Sequence, residues 1–431
     1  MAEVSVLGLG YVGLPTASLL ANAGFYVQGV DIDTTIVEML RSGKTRLEEA
    51  GLATLVSAAF NSGNLTTATK PEPSDTFMIC VPTPVTPGKG ADLSMVESAT
   101  RTILQVLKPG NLVILESTSP VGTTRNVVGK ILKESGLEPG RDFDLAYCPE
   151  RVLPGNTVAE LMNNDRILGG VTPQSAKRAQ EMYQRFCQGK TTLTDDRTAE
   201  MCKLMENSYR DVNIALANVF ARIAEDAGID IWEAIELANL HPRVKILKPG
   251  PGVGGHCIPV DPWYLVQDYP QHTALLRCAR EINDGQGARF VEQLMASGQL
   301  KAGQKLAILG AAYKADIDDA RESPAGLLVE AAKAKGIETA VHDPLVKAGN
   351  HHGLIVSNDM PAVLKGAAAA ALLVEHRAYR SLSAKFFTDH MAGRLIGDSR
   401  YWLNHASLRR SGFTVVVLGQ SPEAQARMTQ S

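Results

Sequence analysis

The sequence predicts an α/β chain in which two doubly wound domains are joined by one long central helix. Three observations carry that prediction. A β-branched run, Val4–Leu7, opens directly into the turn Gly8-Leu9-Gly10-Tyr11-Val12-Gly13. A second β/α alternation starts at Lys305, and between the two lies the stretch Thr194–Ala227, which contains neither Pro nor Gly. The composition is that of a soluble globular protein: of 431 residues 45% are hydrophobic and 21% charged, and 43 Lys+Arg against 46 Asp+Glu leave a net charge of −3. Such a balance argues against nucleic acid or an acidic membrane surface as the main partner. No apolar run approaches the ~18 residues of a membrane span, and MAEVSVLGLG lacks the basic start of a leader, so a cytoplasmic chain is expected. The cysteines are scattered without a CxxC pair, which points to neither a zinc site nor a disulfide framework, and no metal is expected.

Taken in order, the glycine turn is followed by a helical pattern through Ala17, Leu19, Leu20 and Ala23, then by a second strand, Tyr26–Val30, that ends on Asp31. Gly8 permits the tight turn, Gly10 lets the backbone approach a pyrophosphate, Gly13 allows close helix–strand packing, and the helix N-terminus supplies N–H donors. Asp31 stands where a carboxylate accepts from an adenosine ribose diol. It would repel a 2′-phosphate, and no Arg follows in Ile32-Asp33-Thr34-Thr35, so NAD is expected rather than NADP. Strands Thr76–Val81, Leu112–Glu116, Asp144–Tyr147 and Arg166–Leu168, with helices over Ser94–Leu107 and Pro173–Phe186, continue this Rossmann-like sheet. Ligands collect at the carboxyl ends of such strands. Here those ends run into Val81-Pro82-Thr83-Pro84, Ser117-Thr118-Ser119-Pro120-Val121-Gly122 and Cys148-Pro149-Glu150-Arg151.

The stretch after Thr194-Asp195-Asp196, which offers N-caps, reaches Gly228, a C-cap, and reads as one helix of roughly 45–50 Å at 1.5 Å per residue. Its apolar positions Leu204, Ile214, Ala215, Phe220 and Ile223 are too many for a solvated rod, so a partner helix from a second subunit is expected to cover it. The second alternation comprises strand Lys305–Leu309, turn Gly310-Ala311-Ala312, helix Pro324–Ala334, strand Thr339–His342 ending in Asp343-Pro344, and strands near Ala370–Val374, Arg394–Ile396 and Thr414–Leu418. It repeats the first plan without the glycine fingerprint and reads as a nucleotide-type domain whose ligand is not a dinucleotide. The small-residue run Ala367–Ala371 fits inside a packed element. Residues 1–193, 194–300 and 301–431 are the expected cofactor, central helical and C-terminal domains.

Between the long helix and the second alternation lies Lys248-Pro249-Gly250-Pro251-Gly252-Val253-Gly254-Gly255-His256-Cys257-Ile258-Pro259-Val260-Asp261-Pro262-Trp263. So many Gly and Pro residues exclude helix and central strand, and Cys257 is held on a shaped loop whose N–H groups can stabilise a thiolate or oxyanion. The loop has no evident packing reason to be so open. Cys80, Cys148, Cys187, Cys202 and Cys278 read instead as small buried apolar residues. His256 beside Cys257 suggests a dyad, but neighbours on an extended loop point apart, so it reads as loop structure.

These segments give the chain a resemblance to the UDP-glucose/GDP-mannose dehydrogenase family along essentially its whole length. It rests on GLGYVGLP, VPTP, ESTSPVGTT, Pro149-Glu150, Lys203-x-x-x-Asn207, GGHCIPVDP and Tyr313-Lys314…Asp318-Asp319-x-Arg321-x-Ser323-Pro324. The wording PERVLPG, NNDRILGG, TAEMCKL and HPRVKILKPGPGVGGHC is most like members acting on UDP-N-acetyl-D-mannosamine for bacterial surface polysaccharides; UDP-N-acetylglucosamine and UDP-glucose are the runner-up substrates. The resemblance implies oxidation of a sugar C6 hydroxyl to a carboxylate by two NAD in succession. A thiol at Cys257 fits that chemistry, because an aldehyde offers no ready second hydride until a thiolate has added to it.

By motif position, Asp261 would orient or deprotonate water, and Lys203 and Asn207, one turn apart on a helix, would stabilise oxyanions. Thr118 and Glu150 would position water and protons. Cofactor contact falls to Gly8, Gly10, Tyr11, Val12, Gly13, Asp31, Thr83, Thr118 and Arg321. Substrate contact falls to Glu150, Arg151, Val152, Lys203, Asn207, Arg210, Arg243, Gly254 and Lys314, the last at the pyrophosphate. A surface salt bridge is the competing account of Lys314, Arg321 and Arg243. Where UDP-glucose members often carry a second glutamate, this chain has Pro154, which weakens a two-glutamate proton scheme. A catalytically silent NAD-binding sensor is disfavoured by the joint presence of Cys257, Lys203, Asn207 and Asp261. A two-electron secondary-alcohol dehydrogenase would need no cysteine on a glycine loop.

Overall fold

The computed structural model describes residues 2–47, 49–152, 155–351 and 353–421; Pro154 lies outside them. The chain forms two compact units, one made of the residues up to Glu206 together with Trp263–Asp268, the other of Asn207–Pro262 and the residues from Tyr269 on.

The first unit is built on eight strands: β1 Val4–Leu7, β2 Val27–Val30, β3 Leu65–Ala68, β4 Thr76–Ile79, β5 Leu112–Leu115, β6 Asp144–Tyr147, β7 Arg166–Gly170 and β8 Thr191–Asp195. Their order is β3-β2-β1-β4-β5-β6-β7-β8. All neighbours are parallel except β6 and β7. β1 pairs with β2 through Val4↔Val27 and with β4 through Val4↔Thr76, so the order reverses at β1 and opens a crevice at its carboxyl end. β1, β2, β4 and β5 are buried along their whole length, as expected of strands covered by helices on both faces.

Two strands of this unit escape the sequence reading. β3 is Leu-Thr-Thr-Ala and β8 Thr-Thr-Leu-Thr-Asp, edge strands whose mostly polar residues carry no apolar run. β8 occupies part of the segment read as helix cap. The long helix therefore begins at Asp196 and runs 31 residues to Asp226, with the Asp195 carboxylate accepting from Thr198 N–H at 3.0 Å as its cap and Gly228 left-handed beyond its end. Helices Ser94–Leu104 and Pro173–Tyr183 end three residues earlier than the pattern suggests. On the long helix Leu204 and Ala215 are buried, but Met201, Met205, Tyr209 (64% exposed), Leu216 and Ile223 (55%) face outward.

The second unit carries β9 Lys305–Leu309, β10 Glu338–His342, β11 Gly349–His351, β12 Leu354–Ser357, β13 Ala369–Leu372, β14 Leu395–Asp398 and β15 Thr414–Val417, ordered β11-β12-β10-β9-β13-β14-β15. β11 pairs antiparallel with β12, a hairpin edge the sequence did not disclose. The alanine run becomes β13, an interior strand between β9 and β14, buried throughout.

Candidate active site

The glycine turn has the geometry its residues demand. Gly8 has φ +93°, and a Cβ there would stand 2.8 Å from the Cys80 carbonyl oxygen. A Cβ on Gly13 would lie 1.8 Å from the Gly8 oxygen, so strand and helix touch through glycine alone. Around Gly10 a Cβ would meet nothing within 4 Å, which leaves the backbone open to a ligand. Asp31 is half-buried, and its oxygens accept from Leu9 N–H at 2.9 Å and Asp33 N–H at 3.0 Å. Each oxygen keeps a lone pair for a ribose hydroxyl. These residues fit NAD.

At the neighbouring strand ends, Thr83 Oγ1 donates to the Thr118 carbonyl at 2.6 Å and Ser117 Oγ to the Val81 carbonyl at 2.6 Å. Tyr264 hydroxyl donates to the Thr83 carbonyl. The Thr118 loop is fastened from the long helix by Glu200, whose carboxylate accepts from Gly122 N–H (2.5 Å), Thr124 N–H (2.8 Å) and Thr124 Oγ1 (2.7 Å). Burial pushes the Glu200 carboxyl up to about 7, against three hydrogen bonds that favour its charge. One turn on, buried Lys203 donates to the Glu150 carbonyl at 2.6 Å, with its ammonium 3.7 Å from the Glu150 carboxylate. That carboxylate turns back to accept from Val152 N–H. Arg151, expected at substrate, is gripped by Glu206 at 2.7 Å and donates to the Asp165 carbonyl at 2.9 Å. Burial raises the Cys80 thiol well above its ordinary value and that of Cys148 to about 11, so neither is a nucleophile near neutrality.

In the second unit the cysteine segment forms a turn at the head of helix Asp261–Asp268: Val260 N–H (3.0 Å) and Asp261 N–H (2.8 Å) both donate to the Cys257 carbonyl. Asp261, buried, accepts from Asn207 Nδ2 at 2.6 Å. Cys257, Asp261 and Asn207 are thus brought together. The openness of the loop does have a packing reason, contrary to expectation. A Cβ on Gly254 would stand 2.7 Å from Tyr313 Cβ and the Glu322 oxygen, and one on Gly255 3.0 Å from the Tyr313 ring, so the glycines let this loop lie flat on the segment that carries Lys314 and Arg321. Gly255 N–H donates to the Arg321 carbonyl at 3.2 Å. The Arg321 guanidinium is bidentate on Asp319, with Nη2 at 2.5 Å and Nε at 3.0 Å. Lys314, Arg210, Arg243 and His256 are exposed. Cys278 is exposed and Cys80 and Cys202 half-buried, correcting the reading of all three as buried apolar residues: Cys278 sits on the solvent side of helix Ala274–Asp284 beside exposed Leu275.

The second sheet repeats the turn and the acid but closes them. Gly310 has φ +107°, and a Cβ there would meet Val374 at 2.6 Å. Asp343, after β10 as Asp31 is after β2, accepts from Ala311 N–H, Ala312 N–H, Leu345 N–H, Val346 N–H and His376 Nε2 at 2.7–3.1 Å. Fully buried, it has no lone pair for a ribose, so this half offers no acid to a dinucleotide. The hydrogen bonds of Asp343 and its neighbour His376 hold its carboxyl near 2 despite the burial that opposes charge. Sequence reasoning passed over Glu200, Tyr264 and His376. For Glu200 the signal was present, since positions 200, 203 and 207 share a helix face; for the other two it was not.

Among the described residues no group of three or more His, Cys, Asp or Glu could hold a metal, and no helix is long and apolar enough to cross a membrane. A strand-order reversal capped by a glycine turn and a ribose-ready acid, with a cysteine turn backed by Asp261 and Asn207, defines an NAD-dependent dehydrogenase. Comparison with known proteins agrees. The UDP-glucose/GDP-mannose dehydrogenase family matches in its NAD binding domain over residues 2–187, its central domain over 197–285 and its UDP binding domain over 307–405. The chain belongs to that family and is an NAD-dependent nucleotide-sugar dehydrogenase.

It is 45% identical to a UDP-N-acetyl-D-mannosamine dehydrogenase of Methanocaldococcus jannaschii, across 98% of this chain and 97% of the relative. It is 44% identical to an NDP-N-acetyl-D-galactosaminuronic acid dehydrogenase of Ralstonia nicotianae, across 92% and 95%. A solved UDP-D-ManNAc dehydrogenase from Pyrococcus horikoshii superposes with a TM-score of 0.90 at 39% identity, covering 97% of this chain and 99% of that one.

Proposed function

We propose that the chain oxidises the C6 hydroxyl of UDP-N-acetyl-D-mannosamine to the carboxylate in a four-electron reaction, for surface polysaccharide synthesis. The observation that carries the mechanism is that Asn207 of the long helix holds Asp261 at the head of the helix opened by the Cys257 turn. The substrate is supported by near-full-length relatives bearing that name at 40–45% identity. NAD, held by Gly8, Gly10, Tyr11, Val12, Gly13, Asp31, Thr83, Thr118 and Arg321, supplies the hydride acceptor for both oxidations. After the first, the C6 aldehyde is attacked by Cys257 Sγ; a C–S bond forms and the carbonyl oxygen takes a proton, giving a thiohemiacetal. Loss of a second hydride and that proton leaves a thioester. Water oriented by Asp261 then attacks, the C–S bond breaks, and thiolate and carboxylate are released. Asn207 fixes the Asp261 carboxylate, while Lys203 stabilises the oxyanions and Thr118 and Glu150 position water and protons. Arg151, Val152, Arg210, Arg243, Gly254 and Lys314 hold the UDP-sugar, Lys314 at the pyrophosphate.

In this reading residues 1–193 bind the cofactor, 194–300 carry the cysteine loop and the dimer contact, and 301–431 bind UDP, in a cytoplasmic homodimer. The outward Met205, Tyr209, Leu216 and Ile223 support a partner helix. The test is NADH yield on UDP-ManNAc, UDP-GlcNAc, UDP-GalNAc and UDP-glucose. Two NADH per UDP-ManNAc with the highest kcat/KM is expected. One NADH per sugar would overturn the thioester route, and a preference for another sugar would overturn the substrate. UDP-GalNAc is the second reading, favoured by the Ralstonia relative.

A further inference from the structure

Two residues after Lys314, Asp316 has φ +59°, a left-handed conformation that non-glycine residues rarely keep unless their surroundings hold them there. Three hydrogen bonds do so. Asp316 N–H donates to His376 Nδ1 at 3.0 Å, and the Asp316 carboxylate accepts from Arg377 N–H at 3.0 Å and Arg377 Nε at 2.7 Å. His376 is fully buried; its other ring nitrogen lies 3.1 Å from the Asp343 carboxylate, and Tyr379 packs edge-on at 5.5 Å. The tautomer follows from this network. A backbone N–H can only donate, so Nδ1 must offer its lone pair, and the ring proton sits on Nε2 facing Asp343.

We infer that His376 is a positioning residue for nucleoside diphosphate binding: anchored on Asp343, it holds Asp316 left-handed and so aims Lys314 at the diphosphate. The inference rests on the reading that Lys314 meets the UDP pyrophosphate. The two ring nitrogens can be replaced one at a time. In His376→Asn the amide oxygen takes the place of Nδ1 and still accepts from Asp316 N–H while contact with Asp343 is lost. In His376→Gln the amide reaches Asp343 but leaves Asp316 N–H without its acceptor.

Calorimetric titration of UDP into the full-length protein, with steady-state kinetics, separates the two. His376→Gln should weaken UDP about tenfold and raise KM for the UDP-sugar, with kcat and KM for NAD unchanged, whereas His376→Asn stays within about threefold of the parent, the contrast expected for one lost hydrogen bond. Equal weakening in both, loss confined to Asn, or loss in neither would overturn the inference. Should His376→Gln fail to fold, His376→Leu decides, since it lacks the Asp343 contact just as His376→Asn does but offers Asp316 N–H no acceptor: UDP affinity equal to that of His376→Asn overturns the inference, and a loss of about tenfold relative to it upholds it. Lys314→Ala tests the underlying reading on its own. If it leaves UDP binding intact, Lys314 is not the diphosphate contact; if it weakens UDP while the Gln–Asn contrast is absent, only the role of His376 falls.

Discussion

Asp31 is held by Leu9 N–H and Asp33 N–H, so on the proposed reading its carboxylate would meet a ribose diol without first losing rotamer freedom. Asp31→Ala should lower kcat/KM with NAD by about 10–100-fold, the value of a charge-assisted hydrogen-bonded pair, and lower the NADP value less or not at all. Steady-state kinetics with both cofactors checks this, and an equal fall for the two would remove Asp31 from discrimination. On the proposed thioester route the leaving group at Cys257 matters more than the nucleophile. Cys257→Ser should lose the overall reaction and accumulate a sugar ester, because an alkoxide leaves an ester far less readily than a thiolate leaves a thioester. Intact-protein mass spectrometry would detect the adduct; full turnover by Cys257→Ala would end the thioester route. Cys257 was legible because no packed strand or helix tolerates its Gly and Pro neighbours. That those glycines also seat Tyr313 and Glu322 was not, since the two segments lie about 60 residues apart in sequence and only folding brings them together.

The long helix turns a repeat of three and four residues into a working face. Glu200 holds the loop behind Thr118 and Lys203 the loop at Glu150, while Asn207 stands one turn further on. The Glu200 carboxyl, raised from 4.5 to about 7, keeps its proton in the fold at pH values where the unfolded chain has released it. The stability this proton gives is complete below about 4.5 and lost as pH rises through 7. Glu200→Gln, which cannot titrate, should lack that slope, so the stability difference between parent and variant should move in favour of the variant by up to about 3 kcal/mol between pH 5 and 8. Urea unfolding at several pH values measures it, and parallel curves would show that Glu200 is ionised throughout. Several elements with an apolar signature were readable nearly to their ends, β1, β6 and β9 among them, although β12, Leu-Ile-Val-Ser, was passed over despite its apolar run. β3, β8 and β11 were not, because a polar edge strand takes its identity from the neighbour it pairs with rather than from its own pattern.

The outward apolar row on that helix, Met205 through Ile223, has a consequence for assembly. Leu216→Glu combined with Ile223→Glu should convert a dimer to monomers in sedimentation at micromolar concentration, because two like charges would face their own copies across a two-fold axis. A parent that is already monomeric, or a variant of unchanged mass, would place the contact elsewhere. Composition and the two β/α alternations made the plan of the chain readable, down to an acid after the second strand of each sheet. What they could not tell apart is Asp31 with two internal partners from Asp343 with five. That difference bears on how the protein can change over generations. Restoring glycines around Gly310, whose backbone is already left-handed, would not give the second half a taste for dinucleotides, since the acid that would have to greet the ribose is engaged by four amides and an imidazole at once. No single substitution frees it, so the second half is kept from dinucleotides by a carboxylate spent entirely on its own chain.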